Sequence, residues 1–337
     1  MEYRRLGNSG LLVSELALGT MVFGEQTERG TPADEVEKMI RCYLEAGGNH
    51  FDLADVYSGG FAEKIVGKTV QWIREKVVLT TKIRWPVGPG PNDCGLSRYH
   101  IQIGLEASLR RMGTEIIDVL YMHGWDPFTP LEETLRTFDD LIAAGKVRYI
   151  GVSNIKAWQV MKALGLADRN GWVRFSAAQY QYSLVVRDIE NEFIDLCQTE
   201  GIGLICWGPL GGGFLTGKYR PGQKPNSNTD GRLAVTPDAW EESWIRRSTE
   251  QNWRIIEMLK DVVGVHQGST PSQVAIAWLL ARSAVASVII GARTLDQLKD
   301  NLKATDLKLS DNEIMHLSQV SAIPLPYPYR SIDTSSR

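Results

Sequence analysis

The sequence predicts an α/β fold, a closed (β/α)₈ TIM barrel, from three observations. Eight short β-rich runs recur along the chain, amphipathic stretches separate them, and no G-x-G-x-x-G follows the first run. The third observation decides between two arrangements of parallel strands. An open, doubly wound sheet needs that glycine pattern for phosphate, whereas the chain after Leu18 reads Gly-Thr-Met-Val-Phe-Gly. With 337 residues, 43% of them hydrophobic, a single barrel domain over 1–337 accounts for the whole length.

Taken in order, an opening hairpin is expected over Tyr3–Val13, turning at Asn8-Ser9-Gly10. Strands follow at Glu15–Leu18, Phe51–Ala54, Val77–Lys82, Ile117–Met122, Val147–Val152, Phe175–Tyr180, Gly203–Trp207 and Ala286–Ile290. Apolar spacing of three and four predicts helices over Pro32–Glu45, Ser97–Arg111, Pro130–Ala144, Lys156–Ala167 and Ile189–Glu200. Between strands seven and eight lies an insertion, Lys218–Ser287. It begins with a polar loop, Arg220–Pro237, continues as an amphipathic stretch, Asp238–Val263, and ends in a helix, Pro271–Arg282. The tail Ile323–Arg337, rich in proline, is expected to be non-helical and to wrap over the barrel.

Charge and cysteine usage narrow the function. A net charge of −3 without a long Lys/Arg run argues against nucleic acid. Cys42, Cys94, Cys197 and Cys206 have neither metal-ligand nor disulfide spacing, which suits a reducing compartment and no metal. The N-terminus lacks an apolar leader core, and no apolar run reaches the roughly 18 residues of a membrane span. A cytoplasmic protein without membrane insertion is expected.

In a barrel, chemistry belongs at the carboxyl ends of the strands. Asp52 and Tyr57 follow strand two, Lys82 ends strand three, and His123 ends strand four. Each has an ordinary reading: a cap, a packed tyrosine, a hydrogen-bonded core histidine. Lys82 is harder to explain so, since an ammonium ending Val-Val-Leu-Thr-Thr must find a partner. Together the four suit carbonyl reduction. A tyrosine of pKa about 10 is a weak acid near neutrality, and a lysine cation paired to Asp52 would favour its phenolate. Tyr57 is then the proton donor and His123 orients the substrate oxygen.

These residues sit in motifs that resemble the aldo-keto reductases: Leu18-Gly-Thr20, Phe51-Asp-Leu-Ala-Asp-Val-Tyr57, Thr80-Thr-Lys-Ile83, Ile150-Gly-Val-Ser-Asn154, Pro209-Leu-Gly-Gly-Gly-Phe-Leu-Thr-Gly-Lys218 and Ile290-Gly-Ala-Arg293. The family's catalytic tetrad falls on Asp52, Tyr57, Lys82 and His123. The resemblance implies an NADPH/NADP⁺ site. Ser153, Asn154 and Gln179 would hold the nicotinamide carboxamide and Trp207 would stack on its ring, although Gly208 replaces a serine common there. Leu210, Gly211 and Lys218 would line the pyrophosphate, and Arg232 would fold back over the cofactor. Gly291 and Arg293 would take the 2′-phosphate, and Gln297 and Asn301 the adenine. Gly19, Thr20, Asp52 and Pro209 complete the implied set.

Gly95-Leu-Ser-Arg-Tyr-His-Ile101 and Asp126-Pro-Phe-Thr-Pro-Leu-Glu-Glu-Thr134 are similar to the branch containing the β subunits of voltage-gated potassium channels. That branch makes an NADP(H)-binding regulatory subunit the alternative function and admits a homo-oligomer. The channel subunits carry asparagine at the position of His123, so the histidine favours a reductase. An aldolase with Lys82 as Schiff-base nucleophile would leave Trp207 and Arg293 without a role. Trp85, Trp125 and Phe128 follow strands three and four and are expected either to line an aromatic pocket for a small-molecule carbonyl substrate, favouring bulky or cyclic compounds, or to pack beneath the loops.

Overall fold

Alternation along one strand shows how the barrel is built. In Val78–Ile83, Val78 joins the apolar cluster inside the barrel, whereas Leu79 and Ile83 belong to the layer between strands and helices. With a side-chain period of two, Thr80 and Lys82 share the inner face of Val78. Thr81 points outward to Glu63, its hydroxyl donating to Oε1 at 2.5 Å. Lys82 is therefore fully buried in the inner layer nearest the carboxyl end.

The computed structural model describes residues 1–24, 30–226 and 231–332. The hairpin strands are β1 (Tyr3–Arg5) and β2 (Leu12–Ser14). The barrel strands are β3 (Leu16–Gly19), β4 (His50–Asp52), β5 (Val78–Ile83), β6 (Ile117–Met122), β7 (Val147–Ser153), β8 (Ala177–Gln181), β9 (Gly203–Trp207) and β10 (Val285–Gly291). They close in the order β10-β3-β4-β5-β6-β7-β8-β9, every pair parallel. Parallel closure places all eight carboxyl ends on one face.

Helices α1 (Ala33–Glu45), α2 (Phe61–Val70), α3 (Arg98–Met112), α4 (Leu131–Ala143), α5 (Ala157–Asn170) and α6 (Phe193–Glu200) follow β3 to β8. In α1 the buried residues are Val36, Met39, Ile40 and Tyr43, one stripe of an amphipathic helix. The insertion carries α7 (Trp244–Arg247), α8 (Glu250–Val265) and α9 (Pro271–Leu280); α10 (Leu295–Leu302), α11 (Asp311–Val320) and α12 (Tyr329–Ile332) follow β10. The hairpin plugs the amino-terminal end. Leu6 and Val13 join the interior cluster, and Asn8 N donates to Gly201 O at 2.7 Å. Gly7 makes this possible: its φ is +59°, and a Cβ there would lie 2.4 Å from Gly201 O.

All eight expected strands are present, two with the expected ends and six with shifted ends. The second is His50–Asp52 rather than Phe51–Ala54, because Leu53 N and Asp55 N bond to Thr80 O and Lys82 O while the chain is already turning toward Tyr57. The amphipathic stretch Asp238–Val263 is not continuous: α7 ends at Arg247, and Thr249 caps α8 by accepting from Asn252 N. The tail contains one helical turn, α12, against expectation. It begins just past Pro328, where Ile332 N reaches Pro328 O at 3.2 Å. The parts of the predicted loop and tail at 227–230 and 333–337 lie outside the described residues.

Candidate active site

Strand register brings the expected tetrad together. Asp52 pairs with Thr80 across β4–β5, and Lys82 with Tyr121 across β5–β6. From this position Lys82 Nζ donates to Asp52 Oδ2 at 2.8 Å, to Leu53 O at 2.7 Å and to Tyr57 Oη at 3.2 Å. Three acceptors use all three ammonium hydrogens, which is what makes full burial of a cation tolerable. Asp52 is held on its other side by Gln179 Nε2, which donates to Oδ1 at 2.8 Å. Tyr57 stands edge-on to His123 with ring centres 6.1 Å apart, on a turn that runs through positive φ at Ser58, Gly59 and Gly60.

Burial sets the protonation states. Burial is the leading influence on Tyr57 and pushes its hydroxyl above the ordinary tyrosine range, with the Lys82 charge opposing it. The lysine thus acts in the expected direction without winning: the resting phenol stays a phenol. Lys82 remains charged, because Asp52 and Tyr57 outweigh the burial that would neutralise it. His123 is pulled down to about 2 by burial, then by Lys82 and Arg84, so its ring is neutral and its buried Nδ1 has no partner.

The residues assigned to a nicotinamide adjoin this cluster. Ser153 Oγ donates to Gln179 O at 2.9 Å, Asn154 Nδ2 to Ser153 Oγ at 2.8 Å, and Trp207 Nε1 to Asn154 Oδ1 at 3.2 Å. Asn154 adopts φ +55°, a left-handed conformation that asparagine tolerates. Gly19 pairs with both Asp52 and Gly291, and Thr20 Oγ1 donates to Asp52 O at 2.9 Å.

After Trp207 the turn Gly208-Pro209-Leu210-Gly211-Gly212-Gly213 has positive φ at its four glycines. Lys218 Nζ lies 3.9 Å from where a Cβ of Gly213 would stand. Arg232 Nη2 pairs with Glu242 Oε2 at 2.7 Å, and its charge reaches Tyr57. Gln297 and Asn301 brace the turn after β10, Gln297 Oε1 accepting from Arg293 N at 2.9 Å and Asn301 Nδ2 donating to Gly291 O at 3.2 Å. Around a Cβ added to Gly291 there is open space.

Four buried groups were not foreseen. Asp55 is 3% exposed and neither carboxylate oxygen has a partner; burial, then Glu63, raises it to about 7. Its signal was present as the second acid of Asp52-Leu-Ala-Asp55. Gln181 Nε2 and Glu242 Oε1 are unpartnered and lie 3.5 and 3.4 Å from where a Gly208 Cβ would stand. Arg247, with Nε and Nη2 unpartnered, adjoins Gly211. Spacing alone does not reveal these three, because their neighbours in the turn lie between 27 and 36 residues away.

Of the expected aromatic pocket, Trp85 meets His123 edge-on at 6.3 Å and Trp125 packs on Trp158 at 6.2 Å. Phe128 is 94% exposed, with its N–H bonded to Asp126 Oδ1 at 2.9 Å. Trp85 and Trp125 flank the mouth through Arg84, and Phe128 stands in solvent.

The closed parallel barrel thus carries a lysine–carboxylate–tyrosine cluster and a neutral histidine, four groups whose chemistry allows proton exchange, at its carboxyl face. A sequence profile of the Aldo/keto reductase family matches residues 15–322, and the chain belongs to that family of oxidoreductases. A protein of Arabidopsis thaliana described as a probable voltage-gated potassium channel subunit beta is 40% identical over 91% of this chain and 92% of its own. An uncharacterized oxidoreductase of Bacillus subtilis is 36% identical over 94% of both chains. Versiconal hemiacetal acetate reductase of Aspergillus parasiticus is 34% identical over the full length of both. No helix among the described residues is long and apolar enough to cross a membrane.

Proposed function

We propose that the protein is a cytoplasmic, NADPH-dependent reductase of aldehydes and ketones in which Tyr57 donates the proton. The observation that carries this reading is the chain of contacts Asp52–Lys82–Tyr57, at 2.8 and 3.2 Å, beside the neutral ring of His123. NADPH, when bound, supplies hydride to the carbonyl carbon. Tyr57 Oη gives its proton to the carbonyl oxygen as negative charge develops there. The Lys82 ammonium stabilises the phenolate left behind, and Asp52 keeps Lys82 charged and aimed. A neutral His123 carries one ring N–H with which to hold the same oxygen.

Support for the cofactor comes from the donor set on the far side of the site. The glycine turn 208–213 has backbone N–H groups and a nearby Lys218, chemistry suited to a pyrophosphate. The buried, unpartnered donors of Arg247 and Gln181 adjoin that turn. Arg293, in the turn that enters α10, suits a 2′-phosphate by its forked geometry. The test is NADPH consumption by the purified protein with an aromatic aldehyde, with the alcohol measured alongside. Equal amounts of NADPH consumed and alcohol formed are expected. Tight NADPH binding without turnover would favour the second reading, a regulatory NADP(H)-binding subunit, which the likeness to the plant channel subunit motivates.

A further inference from the structure

Immediately outside the tetrad the chain leaves β5 through Arg84-Trp85, and these two side chains are stacked. The Arg84 guanidinium carbon lies 4.0 Å from the Trp85 ring centre, and Arg84 Nε donates to Trp125 O at 3.2 Å. Two attachments fix the orientation of a side chain that would otherwise move freely in water. Trp85 meets His123 edge-on at 6.3 Å, so the guanidinium lies within about 10 Å of the His123 ring, the two separations taken together. One aromatic ring substituted at both ends bridges such a span.

Charge matching separates Arg84 from Lys82 and Arg232, the two cations whose charge reaches Tyr57. Lys82 is paired with Asp52 and Arg232 with Glu242, each within hydrogen-bonding distance. Arg84 has no carboxylate within ion-pairing distance among the described residues. Asp126, whose field it feels, is already occupied: it accepts from Leu96 N at 2.7 Å, Thr129 Oγ1 at 2.7 Å and Phe128 N at 2.9 Å. The Nη donors of Arg84 remain available on a half-buried, immobilised group beside the reacting face. Its charge already reaches that face, being one of the three causes that hold His123 neutral.

We infer that Arg84, backed by Trp85, determines specificity: it holds a carboxylate on a flat aromatic carbonyl substrate whose carbonyl lies at Tyr57 and His123. The inference rests on the reductase reading and deepens it by naming a substrate class. The Trp85 ring offers apolar contact to the substrate ring, and the guanidinium takes the carboxylate by charge-assisted hydrogen bonds.

The experiment compares 4-carboxybenzaldehyde with its methyl ester as substrates at saturating NADPH. The ester withdraws electrons more strongly, so intrinsic reactivity runs against a preference for the acid. The wild type is expected to favour the acid by about tenfold in kcat/KM, chiefly through KM, as one charge-assisted contact supplies. High salt should erode that preference, because the site is partly open to solvent. Arg84→Met should abolish it and Arg84→Lys should keep part of it. A wild type that turns over both aldehydes without discrimination, or an Arg84→Met enzyme that still prefers the acid, overturns the inference alone. If Arg84→Met does not fold, the wild-type ratio and its salt dependence decide. No turnover of either aldehyde removes the reductase reading, and the inference with it.

Discussion

The two sides of the barrel mouth are built differently. On the side of β4, β5 and β6, Lys82 has three acceptors, Asp52 is held from both sides, and each group stands on or just after a strand whose register fixes it. On the side of the glycine turn and the insertion, Gln181, Glu242 and Arg247 keep buried polar atoms unpartnered, and the backbone turns through four glycines of positive φ. Burying polar groups without partners costs roughly 1–3 kcal/mol each, so that side gains from a ligand in a way the satisfied Asp52–Lys82 pair does not. Asp52 and Lys82 are held in place by the barrel itself, whereas the polar groups around the glycine turn are not.

The largest expected effect comes from breaking the satisfied side. Lys82→Met should remove turnover and lower stability by about 3–5 kcal/mol, because Asp52 is left as a buried, uncompensated charge. Thermal or denaturant unfolding checks this, and a fully stable variant would mean that Asp52 is relieved by other means. On the other side, Arg293→Ala should weaken NADPH binding by about tenfold and leave NADH nearly unchanged, measured by fluorescence titration. Equal losses for both cofactors would refute the phosphate contact while leaving the fold intact.

A smaller effect tests the tension next to the tetrad. Asp55 titrates near 7 in the folded chain instead of the ordinary 3.8, so the folded state holds its proton more tightly than the unfolded state. Its contribution is therefore present at low pH and is lost as pH rises from about 4 through about 7. Asp55→Asn should be more stable relative to wild type at pH 8 than at pH 5, by on the order of 2 kcal/mol. Unfolding midpoints at the two pH values supply the comparison, and an unchanged difference would show that Asp55 finds a partner. For the reaction itself, kcat/KM should show no His123 titration between pH 5 and 8. It should decline only above the ordinary tyrosine range, where Tyr57, raised by its burial, loses its proton.

Much of this was legible in the chain. Ile117–Met122 and Gly203–Trp207 are apolar runs with clear ends, and the structure keeps both boundaries unchanged. Asp52 and Tyr57 share one short motif, and Lys82 and His123 each end such a run, so the site could be assembled from strand ends alone. The second strand expected from the sequence starts one residue late and runs too far, because Leu53 and Asp55 still bond to β5 after the regular pairing has ended. The direction of the Tyr57 shift was not readable either. The lysine is visible in the sequence, but the burial that outweighs it exists only in the folded barrel. In the sequence Glu242 and Arg247 are only two polar positions of an amphipathic stretch. Their place against the glycine turn is set by the insertion's packing, where Phe214 meets Trp253 at 4.7 Å and Tyr219 meets Trp244 at 5.7 Å.

The most direct test of the tetrad is the kcat/KM of wild type and Tyr57→Phe on the same aromatic aldehyde, with NADPH affinity measured in parallel. The account predicts a loss of about a thousandfold or more in turnover with affinity nearly unchanged, since the variant removes one donated proton and little packing. Retained turnover in Tyr57→Phe would contradict it.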